Sequence, residues 1–423
     1  MISTNEALEI MLSAVKPNKM VEELPIIDAL DRILAEDVYS GVNIPYFDNS
    51  AMDGYALRAG DTRGASKENP VSLRVVEDLP AGYTTSRKIK HGEAIRIMTG
   101  ASLPFGADAV LMKEYTGVDG DIIRVFKEAK PGDNIRYLGE DVSQGQLVLK
   151  RGKVIGPAGI GMLAALGRPL VRVASRPVVA VLVTGDELVG VDEKLIDGKI
   201  RDVNSYTLLG QIKRCGAIPE RLDIARDNQG EIRLRIQEGM FADMLITTGG
   251  VSVGDYDFVR QILEELGAEI KVYKVAIKPG KPMTFAMLNG KPIFGLPGNV
   301  VASMVCFERF VRPVILKMMG ARDLLLPTIA AELRMDIEKN DNRRHFVRAR
   351  ITCEDNKYYA LPTKSQSSGG LSSMVIANGL IVVPEEVKKI SAGSMVQVEM
   401  LGAVKISPGL FGGDREAREV SSG

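Results

Sequence analysis

Hydrophobic and polar positions change period several times along the chain. Between residues 175 and about 324, continuous apolar runs alternate with helical patterns. PVVAVLVTGDEL is an unbroken apolar run that stops at Thr-Gly-Asp, and DMLITTGG is a second such run. Between them NSYTLLGQIKRCGA carries Leu208, Leu209 and Ile212 at helical spacing, with Asn204 or Ser205 as the expected cap. DFVRQILEELG puts Phe258, Val259, Ile262, Leu263 and Leu266 on one helical face. MTFAML and KPIFGL flank Asn289-Gly290 as a hairpin, and the apolar stretch VVASMVCFERFV follows LPGN as a helix. Strands alternating with helices predict crossover connections and a mainly parallel sheet.

The flanking regions read differently. MISTNEALEIMLSAV is a helix with Ser3 and Glu6 at capping-box spacing. Residues 45–130 mix strands and turns, with a hairpin around Asp119-Gly120. In GPAGIGMLAALG, Pro157 suits a first helical turn and Gly167 a helix stop. From about 325, short strand patterns follow one another and helical signal nearly vanishes. The expected architecture is multidomain α/β plus β. It has a discontinuous, elongated N-terminal domain (1–44 and 131–174) and a mixed α+β domain (45–130). A central α/β domain (175–324), a C-terminal all-β domain (325–406) and a mobile tail (407–423) complete it.

Composition narrows the function. Lys plus Arg and Asp plus Glu are both 54, so the formal net charge is zero. Bulk electrostatic binding of nucleic acid or an anionic membrane is not expected. Three dispersed cysteines and two histidines leave no zinc-ligand spacing and no disulfide framework, which suits a reducing cytoplasm. Any metal is expected to be a hard cation on oxygen ligands. The N-terminus lacks a basic leader, and no apolar run is long enough to span a bilayer.

Candidate chemistry gathers at the ends of the predicted strands. TGDEL supplies Thr184, Gly185, Asp186 and Glu187. TTGGVSVGDYDF supplies Gly249, Gly250, Ser252, Gly254 and Asp257, and LPGN supplies Pro297, Gly298 and Asn299. Glycines there let backbone amides approach an anion, and ligands of open α/β sheets bind at carboxyl strand ends. Asp186, Glu187 and Asp257 could hold Mg²⁺, with Asp227 in ARDN a further candidate. Each acid could equally be a cap or surface turn. KVAIKPGKP clusters Lys274, Lys278 and Lys281 around a Pro-Gly turn, a pattern suited to phosphate or a tetrahedral oxyanion. NIPYFDNSAMDGYAL packs Asp48, Asn49, Ser50 and Asp53 into an irregular stretch, and its spacing alone does not separate turn chemistry from a site.

Taken in order, FDNSAMDGYA, IRIMTGA, GEDV, TGDEL, TTGGVSVGDYDF, AIKPGKP and LPGN resemble the molybdopterin molybdenumtransferase family (MoeA-like proteins and the gephyrin E domain). The resemblance implies four domains and a homodimer whose site is shared between subunits. It implies insertion of molybdenum from molybdate into adenylylated molybdopterin, with release of AMP and with Mg²⁺ as the metal; the sequence does not separate molybdate from tungstate as the natural oxyanion. Motif by motif it implies Asp53, Thr99, Asp141, Glu187, Asp227, Asp257, Lys274 and Lys278 as catalytic. Glu187, Asp257 and Asp227 are the implied metal ligands. Lys281, Arg348 in HFVRA and Ser368 in SQSSGG join the strand-end residues in substrate binding. Val300 stands where the family commonly has Pro. The rival readings are a molybdopterin adenylyltransferase and a non-catalytic, gephyrin-like scaffold.

Overall fold

The computed structural model describes residues 1–249 and 258–406. Its central layer is a six-stranded sheet. The strands are β1 (Val178–Val183), β2 (Ile218–Arg221), β3 (Met244–Thr248), β4 (Glu269–Tyr273), β5 (Thr284–Leu288) and β6 (Lys291–Leu296). Their spatial order is β2-β1-β3-β6-β5-β4. The first four in that order run parallel, and β5 and β4 close the sheet antiparallel. β5 and β6 form the expected hairpin, with Asn289 at φ 51° and Gly290 at φ 77°.

The continuous apolar runs are explained by burial on both faces. Val179, Val181, Met244, Ile246 and Phe294 enter one core with helix α1 (Asn204–Arg214) and the helical run that begins with α4 (Val300–Cys306). Ala180, Leu182, Leu245 and Ile293 enter the other, under α2 (Gln229–Gly239) and α3 (Phe258–Glu265). The run from α4 continues through a π-helical segment, Phe307–Val311, to Met318. α2 did not stand out in the sequence. Its signal was Asn228 three residues before Glu231: the Asn228 side chain accepts from the Glu231 amide at 2.8 Å. The cap of α1 differs from expectation. Asn204 is helical and its amide is engaged elsewhere, so Asp202 takes the Ser205 N–H at 2.9 Å.

The helix Thr4–Ala14 has Ser3 as its N-cap, as expected. It packs Ala7, Leu8 and Met11 into the central core rather than beside residues 131–174. Farther on, Val21–Pro25 pairs with Leu170–Ala174, and Val38–Tyr39 with Leu147–Leu149. A second six-stranded sheet spans residues 54–125 and carries Gly54–Leu57 between Ala109–Met112 and Glu93–Ile97. The C-terminal strands close on themselves. Arg344–Glu354, Lys357–Pro362, Thr328–Leu333, Met395–Met400 and Gly379–Val383 pair in turn, and the last returns to the first. One short helix, Ser372–Ile376, interrupts this barrel. The two-residue strand Ile277–Lys278 adds to its edge in parallel with Arg344–His345.

Gly54 is fixed by contact. A Cβ there would sit 2.0 Å from the Leu111 carbonyl oxygen across the sheet. Gly54→Ala is expected to lower stability by about 1–3 kcal/mol. Gly41→Ala, with open space around it, should stay within about 0.5 kcal/mol of the parent. Urea unfolding of the two variants checks this.

Candidate active site

Three parallel strands end side by side. Val183 lies opposite Thr248, and Thr248 opposite Leu296. The residues that follow therefore share one cleft of about 230 Å³, lined by Thr184, Glu187, Asn204, Thr248, Gly249, Gly298, Asn299 and Gly369, among others. Gly249 has φ 91°, and a Cβ would lie 2.3 Å from the Thr184 carbonyl oxygen, so only glycine fits between these strand ends. Asn204 braces the cleft. Its amide donates to Thr248 Oγ1 at 3.0 Å and to the Gly298 carbonyl at 2.7 Å. Thr248 Oγ1 in turn donates to the Pro297 carbonyl at 3.0 Å. In the sequence Asn204 and Ser205 both suit a cap, and nothing local distinguishes a capping amide from a bridging one. The hydroxyl of buried Thr184 has no hydrogen-bond partner among the described residues and lines the same cleft.

Of the acids, Glu187 lines the cleft, and Asp186 and Asp227 lie in the turns beside it. Asp186 and Asp227 clasp each other's backbone. The Asp227 amide donates to Asp186 Oδ1 at 3.1 Å, and the Asp186 amide to Asp227 Oδ2 at 3.4 Å. Burial pushes the Asp227 carboxyl upward, the Asp186 amide opposes this, and the Asp186 and Glu187 charges add to the rise. The Arg226 guanidinium and Lys199 ammonium donate to nearby carbonyls, including that of Asp186, rather than to these carboxylates. Among the described residues no three acidic, His or Cys side chains form a ready metal cage. A Mg²⁺ ion fits this donor set differently, through one or two carboxylates with water and substrate phosphate. Asp257, Gly250, Ser252 and Gly254 lie outside the described residues.

Of the three candidate lysines, Lys278 lines a second cleft with the barrel, of about 280 Å³, whose walls also carry His345, Arg348, Lys364 and Gln366 and the acids Asp336 and Glu338. Lys278 is exposed, 4.0 Å from Asp341. Asp341 also meets Arg343 at 2.6 Å and His345 Nε2 at 2.9 Å. Burial opposes ionisation of Asp341, but these partners hold its carboxyl well below the usual range. Lys274, at φ 60°, lies over the Tyr273 ring 4.6 Å away. The Lys281 carbonyl accepts from the Val275 amide.

Arg348 was expected to meet substrate. It is 1% exposed and holds the loop 365–367, donating to the carbonyls of Ser365 (3.3 Å) and Ser367 (3.0 Å). Desolvation lowers its pKa to about 10. The next residue, Ser368, accepts through its carbonyl from the Val301 amide at 3.0 Å, and Gly369 lines the strand-end cleft. The loop therefore joins the two clefts.

Asp53, Thr99 and Asp141 lie apart from both. Asp53 Oδ1 accepts from the Thr99 amide (2.9 Å) and hydroxyl (2.8 Å), with Lys113 4.0 Å from Oδ2. The Thr99 amide and hydroxyl, in that order, hold the Asp53 carboxyl below its ordinary value. Asp141 is exposed and its amide donates to the Ile44 carbonyl.

Comparison with known proteins bears on this architecture. Residues 2–167 match the MoeA N-terminal region (domain I and II), 180–317 a probable molybdopterin binding domain, and 330–401 the MoeA C-terminal region (domain IV). The chain is 38% identical over 379 residues to the molybdopterin molybdenumtransferase of Bacillus subtilis, covering 88% of each. It is 37% identical over 371 residues to that of Staphylococcus aureus, again covering 88% of each. The chain belongs to the molybdopterin molybdenumtransferase (MoeA) family. The crystal structure of the MoeA protein of Pyrococcus horikoshii superposes with a TM-score of 0.83 at 31% identity, over 95% of this chain and 100% of that one. The expected fold class, with its central parallel α/β layer and C-terminal β unit, is thus the MoeA fold.

Thr99→Val removes one of the two donors to Asp53. The Asp53 carboxyl should then titrate at higher pH than in the parent, nearer an ordinary carboxylate. Carboxyl-detected NMR titration of the two proteins reads the shift directly.

Proposed function

We propose that this protein inserts molybdenum from molybdate into adenylylated molybdopterin and releases AMP. The observation that carries the reading is the junction of two clefts. A glycine-edged strand-end cleft lined by Glu187 is joined, through the loop that Arg348 holds, to a second cleft bearing Lys278. The first suits a phosphate-bearing pterin: the Thr184 hydroxyl has no partner among the described residues, and Gly249 brings its backbone against Thr184 at the cleft wall with no side chain between. The second suits a tetrahedral oxyanion, which Lys278 would hold; Lys274 and Lys281 are near it in sequence, and Arg348 would act by setting the loop that carries Ser368.

Glu187 and Asp227, with Asp257, would hold Mg²⁺, which when bound neutralises charge on the adenylate phosphates. The chain's own residues orient the substrate. Asn204 keeps Thr248 and the Gly298 turn in register, so the strand-end backbone meets the ligand as a rigid edge. Asp53, Thr99 and Asp141 belong to this function through a second subunit. Their contacts lie in the N-terminal sheets, away from the cleft. The helix Pro157–Ala165 carries no charged residue and buries only Leu163, an apolar surface suited to a homodimer interface. Among the described residues no helix is long and apolar enough to cross a membrane, which is consistent with work in the cytoplasm. Domain limits of 1–44 with 131–174, 45–130, 175–324 and 325–406 remain part of this reading, with the first helix assigned to the central core.

The test is AMP release from adenylylated molybdopterin by the purified protein with Mg²⁺, with and without molybdate and with tungstate in parallel. Oxyanion-dependent release with metal in the pterin product is expected. Lys278→Ala should lower that rate by about 10²-fold or more, and more oxyanion should offset part of the loss. Release that ignores molybdate and Lys278→Ala would sink the assignment.

A further inference from the structure

A cavity lined by five arginine and lysine side chains lies away from both clefts, at the opposite edge of the central sheet. Arg176 precedes β1, whereas Thr184 follows it. At about 3.3 Å per residue the two edges are about 20 Å apart. The same polarity holds for α1: Asn204 at its start lines the strand-end cleft, and Lys213 and Arg214 at its end line this one.

The cavity measures about 590 Å³ and meets the ordinary size of a small-molecule site. Arg32, Arg176, Lys213, Arg214 and Arg312 line it, with Asp31 as its one acidic wall residue. Three of these cations are engaged. Arg32 meets Glu22 at 3.0 Å, and Arg214 and Arg312 share the buried carboxylate of Glu308. The side chains of Arg176 and Lys213 have no hydrogen-bond or ion-pair partner among the described residues, and both are exposed. Cations at a helix C-terminus complement its dipole, which accounts for Lys213 and Arg214. Arg32 is accounted for by Glu22 and by the Ala174 carbonyl, to which it donates at 2.9 Å; Arg176, from another segment, has neither explanation. The floor between them is aliphatic, built by Ile33, Leu316, Met319 and Leu401.

We infer that this cavity is a second ligand site, for a small molecule with a phosphate group on a flat apolar body. Arg176 and Lys213 take the phosphate, and the aliphatic floor takes the ring. Arg214 and Arg312 stay on Glu308 and shape the wall. The site stands independently of the reaction assigned above. It gives the protein a place to sense a nucleotide-like metabolite without occupying the strand-end cleft.

The experiment is calorimetric titration of AMP and adenosine into the full-length protein. It is repeated on Arg176→Ala/Lys213→Ala and on the charge-preserving Arg176→Lys/Lys213→Arg. All three are made in an Asn204→Ala background, which weakens the strand-end cleft, so the outcome does not depend on catalysis there. AMP should bind, about tenfold or more weakly once the two cations are removed, as losing charge-assisted hydrogen bonds requires. The charge-preserving pair should retain binding, adenosine should bind about tenfold more weakly than AMP, and added salt should weaken AMP. Binding untouched by the alanine pair, equal binding of adenosine and AMP, or no AMP binding in the Asn204→Ala protein overturns the inference.

Discussion

The parallel register of β1, β3 and β6 is the constraint on which the site depends. Parallel strands cannot be joined by tight turns, so each must be followed by a crossover, and each strand end opens into a loop on the same edge. With Val183, Thr248 and Leu296 level, residues more than a hundred apart in sequence become cleft neighbours. A one-residue slip would turn every alternate side chain out of its core. Because both faces are buried, that slip would exchange the two sets of side chains between differently shaped cores and spoil the packing of both at once. The same burial that fixes the fold thereby fixes the level of the strand ends.

The second cleft is tied to this edge by backbone. Ile277–Lys278 leaves the central unit and joins the barrel edge at Arg344–His345. The barrel returns the contact through the loop 365–370, which Arg348 holds from beneath and whose Ser368 carbonyl meets the start of α4. A buried guanidinium without a carboxylate partner among the described residues is costly unless its donors are used. Here they go to carbonyls and to the Ser373 hydroxyl. Arg348 thus acts first as a scaffold for the loop between the clefts. Removing it would disturb both clefts through one loop.

Much of the central unit was legible because its signals are local. Two unbroken apolar runs ending in Thr-Gly, a hairpin on Asn289-Gly290 and an apolar face on α3 each follow from short-range patterning. What was not legible depends on distant partners. Asn204 has the residue type and position of a cap, and only the approach of Thr248 and Gly298 turns its amide into a brace. Arg348 sits in a strand pattern that does not reveal whether its head reaches substrate or a loop. The first helix gives no sign in sequence that it packs on a sheet beginning some 160 residues later, since its apolar face would suit any core. Asp257 and the glycines around it, which weighed heavily in the sequence, lie outside the described residues.

Two acids that the sequence singles out, in different parts of the fold, are tuned in opposite directions. Asp53 is exposed and receives two hydrogen bonds from Thr99, so its ionised form is favoured. A carboxyl depressed in this way favours folding above its unfolded pKa, and that advantage is lost as pH falls through the folded value. Asp227 is shifted up by burial and by the charges of Asp186 and Glu187. Its ionised form therefore weighs against folding at neutral pH, and the penalty fades as pH falls through its raised value. A bound cation would relieve the same penalty without a proton, because it offsets both the lost hydration and the neighbouring negative charges. No lysine or arginine side chain makes an ion pair with these strand-end carboxylates among the described residues, although Arg226 and Lys199 lie close enough to reach the adjoining carbonyls. Glu187 and Asp227 are thus the described acids that the proposed function would give to an exchangeable cation.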